Sequence, residues 1–231
     1  MTGFRKVLVD SFRMLYRRPK IFAPKIVSMA MSSTLLILFL SSRIDYFTML
    51  VLLPILGMVG LFASVMVAYM VKEEGQDNIL KNSFYAALSR WKPAAAVSIV
   101  ILVIGFVTAI PLTFALFYYA ETGSVLAVTV GVVIAVAAVL LAGFASYFLP
   151  ITLLEENSLK GSILDSFRTS RENSKEVTLL LLVSLILLGV AFASDSYLQV
   201  LGYAGFIVGR VISTVVNTYL FVVSPTFYLE N

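Results

Sequence analysis

Neither histidine nor cysteine occurs in this chain. Their absence removes the commonest general base, the usual nitrogen ligands of zinc, copper and haem iron, and all thiolate and disulfide chemistry. What could still do chemistry is a small polar set near the C-terminus: Asp195, Arg210, Ser213, Thr214 and Asn217. Ionisable residues within apolar runs are costly, so they are the first place to seek a substrate or ion path. Arg210 reads in two ways. It snorkels to an interface, or it contacts an anion or substrate with Asp195 as partner across the intervening loop. The Ser213, Thr214 and Asn217 patch either bonds another helix or lines a cavity. Elsewhere no Asp or Glu falls mid-run, so proton relays, carboxylate cation sites and intramembrane aspartyl proteolysis lack their central group. Serines in the runs have no neighbouring base, so nucleophilic catalysis lacks its parts. No catalytic residue, cofactor or metal is expected.

The elements that must hold this set are apolar and long. Of the 231 residues, 60% are apolar and 13% charged, against roughly 25% charged in soluble domains. Runs long enough to cross a bilayer predict an all-α, polytopic membrane protein. Six spans are expected, at about 25–41, 46–71, 94–119, 125–154, 177–193 and within 197–229. Residues 197–209 read as an interfacial or re-entrant piece, or as the protruding top of span six. The N-terminus reads as a retained first span rather than a secretory signal, because its basic region is too long and lacks a small-residue cleavage site.

Three polar stretches separate the spans, and a short pattern marks each. Asp10-Ser11-Phe12-Arg13 returns as Asp165-Ser166-Phe167-Arg168, with a looser copy at Asn82-Ser83-Phe84-Tyr85. Residues 4–17 place Phe4, Leu8, Phe12 and Leu15 on one helical stripe, with Lys6, Asp10, Arg13 and Arg17 opposite. Similar amphipathic stretches fall within 72–93 and 157–175. Acids close the even-numbered spans at Glu73-Glu74, Glu155-Glu156 and Glu230. The expected architecture is one membrane domain, 1–231, of three elbow-plus-hairpin repeats, about 1–72, 73–156 and 157–231.

Charge sets the orientation. Of 17 Lys and Arg residues, only Arg43 and Arg210 lie outside the N-terminal 25 residues and the two later elbow stretches. Positive-inside bias therefore puts both termini and all three elbows on the cytoplasmic side of the cell membrane. Arg5, Lys6, Arg13, Arg17, Arg18, Arg90, Lys92, Arg168 and Arg171 are candidate contacts for anionic lipid head groups, each worth about 1 kcal/mol near a charged surface. No continuous basic field or exposed aromatic array points to nucleic acid. Gly205 and Gly209 make a GxxxG, and Gly131, Ala135, Ala138 and Ala142 a small-residue stripe. Both suit packing within the chain better than dimerisation. Pro111 and Pro150 are expected to kink spans three and four.

The run Phe148-Leu149-Pro150-Ile151-Thr152-Leu153-Leu154-Glu155-Glu156-Asn157, followed by Ile163-Leu164-Asp165-Ser166-Phe167-Arg168, resembles the membrane domain associated with glycerophosphodiester phosphodiesterases. It also resembles related six-span integral membrane proteins of unknown function. Ser11-Phe12 with Arg17-Arg18-Pro19-Lys20, and Pro225 with Tyr228-Leu229-Glu230, fit the same scheme. In the phosphodiesterase members a separate soluble domain carries catalysis. No such soluble segment is expected in this chain, so the resemblance implies the membrane architecture and not the activity. A second resemblance is to permease subunits of ABC-type exporters, in which Glu73 to Trp91 would dock an ATPase; three elbows instead of one argue against it. The expected function is a non-enzymatic membrane protein that binds or moves a lipid-like or hydrophobic substrate, or supports a membrane complex. Its expected partners are membrane lipids, with a membrane protein or a second copy of the chain as further candidates.

Overall fold

The computed structural model describes residues 2–73, 75–156 and 158–230, and most side chains between 101 and 116 lie outside that description. The acid at Glu74, the elbow start at Asn157 and the kink at Pro111 fall outside the described residues. Among those described the chain is helical and has no strand. In chain order the helices are α1 (Thr2–Arg17), α2 (Ala23–Leu40), α3 (Tyr46–Lys72), α4 (Ile79–Ser89), α5 (Trp91–Thr122), α6 (Val125–Ser146), α7 (Leu149–Glu155), α8 (Leu159–Glu172), α9 (Ser174–Gln199) and α10 (Gly202–Glu230). A 3-10 turn, Pro19–Phe22, joins α1 to α2.

Five segments among the described residues are long and apolar enough to cross a bilayer: Pro19–Leu40, Tyr46–Lys72, Val125–Glu155, Ser174–Gln199 and Gly202–Glu230. Their outer faces carry bulky apolar side chains such as Leu141 and Phe192, both more than 70% exposed. Water would penalise such a surface, whereas hydrocarbon does not. This is an all-α polytopic protein of the membrane class.

Local chemistry sets the turns. Asp45 caps α3 by accepting from Thr48 N at 2.6 Å, and Ser158 caps α8 by accepting from Gly161 N at 3.0 Å. Gly123, at φ +69°, ends α5 in the left-handed region that favours glycine. The segment at 197–209 resolves as helix on either side of a tight turn: α9 continues to Gln199 and α10 starts at Gly202.

The C-terminal half of α3, the C-terminal half of α10 and the short α7 pack together in the centre of the molecule. Ala68, Phe148, Ile151, Val223 and Phe227 form one buried cluster there, with Val7 of α1 and Val177 and Leu180 of α9. Around it α1 lies against α10, α4 against α3, and α8 against α6 and α7. In each of these outer helices the motif serine is fully buried, at Ser11, Ser83 and Ser166, while the following Phe12, Phe84 and Phe167 are exposed. Ser83 donates to Leu80 O. Ser166 donates to Ala145 O at 3.0 Å and accepts from Phe148 N at 3.2 Å. Those last two bonds bridge the break between α6 and α7, where Pro150 sits in the first turn of α7. Ser224 adds a third, donating to Tyr147 O at 2.6 Å. Proline in a membrane helix is tolerated where neighbours supply the lost partners, as these serines do.

Candidate polar site between α2 and α10

Helices α2 and α10 run antiparallel, and each carries one polar stripe. On α2 it is Lys25, Ser28 and Ser32; on α10 it is Arg210, Ser213, Thr214 and Asn217. The spacing i, i+3, i+7 keeps each set on one face, and the two faces enclose a hollow of about 170 Å³. A cation heads each stripe at its N-terminal end, so antiparallel packing puts Lys25 and Arg210 at opposite ends.

Lys25 is 7% exposed. Its ammonium donates to Ser64 Oγ at 2.9 Å and to Gly60 O at 3.2 Å, both on α3. It also lies 3.4 Å from the centre of the Phe221 ring. These contacts satisfy its N–H groups and leave its charge uncompensated. Among the described residues no carboxylate forms an ion pair with it. Burying a cation without a counter-charge is among the costliest arrangements a protein makes.

At the other end Arg210 Nη2 is 3.5 Å from Asp195 Oδ2, and the guanidinium lies 5.2 Å from the Phe206 ring centre. The Asp195 and Arg210 side chains are 13% and 23% exposed. Asp195 Oδ1 and Arg210 Nε are buried without a hydrogen-bond partner. The Arg210 side chain turns to Asp195 and lines the hollow.

Close packing of α9 on α10 brings that pair together. A Cβ on Gly205 would fall 1.8 Å from Leu198 O, and one on Gly209 would fall 2.7 Å from Asp195 Oδ1. Both glycines of the GxxxG therefore face α9 of the same chain.

Arg210 and Asn217 thus line one hollow, and Asp195 adjoins it through its ion pair with Arg210. Lys25 is the member the sequence reading missed, because it was grouped with the basic N-terminal stretch. The matching polar stripes on α2 and α10 were the signal that could have found it. The surface cations stand apart from the site. Arg5, Lys6, Arg13, Arg17, Lys92, Arg168 and Arg171 are exposed, and Arg18 and Arg90 are half-buried. Lys6 pairs with Glu230 at 3.3 Å and Arg13 with Asp10 at 3.5 Å. The third motif differs from the first: Arg168 pairs with Glu172 at 2.9 Å, while Asp165 accepts from Tyr228 Oη at 3.0 Å. The neighbouring Glu172 carboxylate raises the pKa of Arg168 above its ordinary value. Arg90 reaches across to Leu154 O at 3.3 Å. Among the described residues no cluster of acidic side chains could hold a metal ion.

In comparisons with family models, curated proteins and solved structures, the chain matched none.

Proposed function

We propose that this protein is a non-enzymatic, multi-pass membrane protein that binds or moves a lipid-like anion, and that the anionic group sits between Lys25 and Arg210. The carrying observation is the Lys25 ammonium, buried against the hollow with no carboxylate paired to it among the described residues. Arg210 is neutralised by Asp195, so the hollow keeps a net positive charge that a bound anion would balance. A volume of about 170 Å³ exceeds several water molecules at about 30 Å³ each, and it suits a small head group better than a whole lipid.

In the proposed architecture α5, with its apolar run at 94–119, supplies a sixth span, and α6 with α7 forms a single one. Helices α1, α4 and α8 are interfacial elbows in three repeat units. The pairing of each elbow with the span that precedes it in cyclic order supports this reading, with α1 closing the ring against α10. So do the equivalent buried serines and exposed phenylalanines. Both termini face the cytoplasm on the charge bias. The architecture agrees with the resemblance to the phosphodiesterase-associated membrane domain.

Binding of lysophosphatidic acid, with the neutral monoacylglycerol as control, tests the function on purified protein in nanodiscs. Lys25→Gln should weaken the anionic probe about tenfold or more, the range of a lost charged hydrogen bond, and Lys25→Arg should restore part of it. Neutral-probe binding should not respond to either change. An unaltered affinity for the anionic probe in folded Lys25→Gln overturns the assignment. A stoichiometric ATPase on purification would instead support an exporter permease.

A further inference from the structure

A second hollow lies on the opposite face of α10 and contains almost no polar surface. Its floor is Val215, Val216 and Tyr219 of α10, one wall is Leu187 of α9, and the other is the apolar side of α1 with Phe22 of the 3-10 turn. Phe12, 65% exposed, and Tyr16, 85% exposed, stand over it. The trough holds about 390 Å³. That is too little for another helix, whose diameter with side chains is about 10–12 Å.

Depth and charge identify an occupant. At about 1.5 Å per residue, Val215 lies about 22 Å along α10 from Glu230, and Leu187 about 20 Å along α9 from Ser174. Half of a bilayer of about 40–45 Å, head groups included, is about 20–22 Å. The inner end of the trough therefore lies about one leaflet's depth from the Glu230 end of α10. Next to its lining residues in the chain are Arg17, on the polar side of α1 opposite Leu15, and Lys20, two positions before Phe22, so both can meet a head group at the surface above the acyl chain. Both are exposed, and neither forms an ion pair among the described residues.

We infer that this trough is a site for one resident anionic phospholipid of the N-terminal-side leaflet, with an acyl chain along α10 and its head group at Arg17 and Lys20. The site is independent of the Lys25 hollow, which lies on the other face of the same helix. Leaving bulk lipid brings the chain no hydrophobic gain, so van der Waals packing against the apolar lining holds it. The two cations select the head group.

Native mass spectrometry tests this on full-length protein taken from vesicles of equimolar phosphatidylglycerol and phosphatidylcholine, extracted in mild detergent and repurified. One phospholipid per chain should remain, with phosphatidylglycerol favoured by about fivefold for each of the two basic residues. Val216→Phe, which fills the floor, should abolish retention. Arg17→Gln with Lys20→Gln should keep retention and equalise the two lipids. Both changes in the second variant are on exposed side chains, so it remains informative if Val216→Phe fails to fold. Lys25→Gln should leave retention unchanged, which separates this site from the one proposed above. No retained phospholipid, equal retention of both lipids by the unmodified protein, or full retention in folded Val216→Phe would each overturn the inference.

Discussion

Asp195 and Arg210 face each other across the turn between α9 and α10 at 3.5 Å, with Gly209 packed against the carboxylate. Each keeps one buried polar atom without a partner, so the pair is held by geometry and is incompletely satisfied. Removing one member of such a pair strands the other charge, at a cost of about 3–5 kcal/mol. Arg210→Leu should therefore lower thermal stability sharply, and Asp195→Asn combined with Arg210→Gln should recover most of the loss. A harmless Arg210→Leu, measured by thermal unfolding in detergent, would mean that the ion pair does not hold α9 to α10.

Gly209→Ala probes the same contact from the other side. The new methyl would meet Asp195 Cα at 2.9 Å as well as its carboxylate, and backbone cannot give way as a flexible side-chain end can. Overpacking of this kind costs about 1–3 kcal/mol. Stability should fall with no change in the mass of the detergent-solubilised particle. A change of oligomeric state without loss of stability would put these glycines between chains.

Ser166 makes two bonds at the break between α6 and α7, one to Phe148 N and one to Ala145 O. Ser166→Ala strands both backbone groups in a buried place, at about 1–3 kcal/mol each. Ser83, which bonds only within its own helix, should tolerate alanine with much less loss. Thermal unfolding of the two single mutants checks the ordering, and equal losses would refute it.

The contrast between these serines shows where the sequence was legible. The apolar periods placed a helix in each polar stretch, at α1, α4 and α8, because amphipathic spacing is a local property. All three motif serines are buried. Whether Ser166 repairs a distant break depends on which span it meets, and that is a tertiary fact. Lys25 was hidden for the same reason. Among neighbouring basic residues it reads as interfacial, and only the packing of α2 between α3 and α10 buries it. Arg210 and Asp195 were more legible, because a charge inside an apolar run stands out in any sequence.

Acid should loosen the entry to α3. The hydrogen bond from Thr48 N holds the Asp45 carboxyl below its ordinary pKa. A group with a depressed folded-state pKa contributes fully above its unfolded value, about 3.9, and loses that contribution as pH falls through the folded value. Asp45→Asn keeps an acceptor at the cap but does not titrate. The thermal stability of the unmodified protein relative to Asp45→Asn should therefore fall on acidification below about pH 4. A pH-independent difference between the two would show that the cap does not sense the carboxylate charge.

Because the chain has no cysteine, its orientation can be tested with single introduced thiols. Thr122 ends α5 and Ser174 begins α9, both exposed and separated by α6, α7 and α8. If α6 and α7 together cross the bilayer, these two positions lie on opposite sides. In the proposed orientation the basic residues beside Ser174 mark the cytoplasmic side. Thr122→Cys should react with a membrane-impermeant maleimide on intact cells, and Ser174→Cys only after permeabilisation. Reversed labelling would invert the protein. Labelling of both from one side would mean that α6 and α7 turn back within the membrane, leaving Arg43 and Arg210 on different sides and the charge bias without its physical basis.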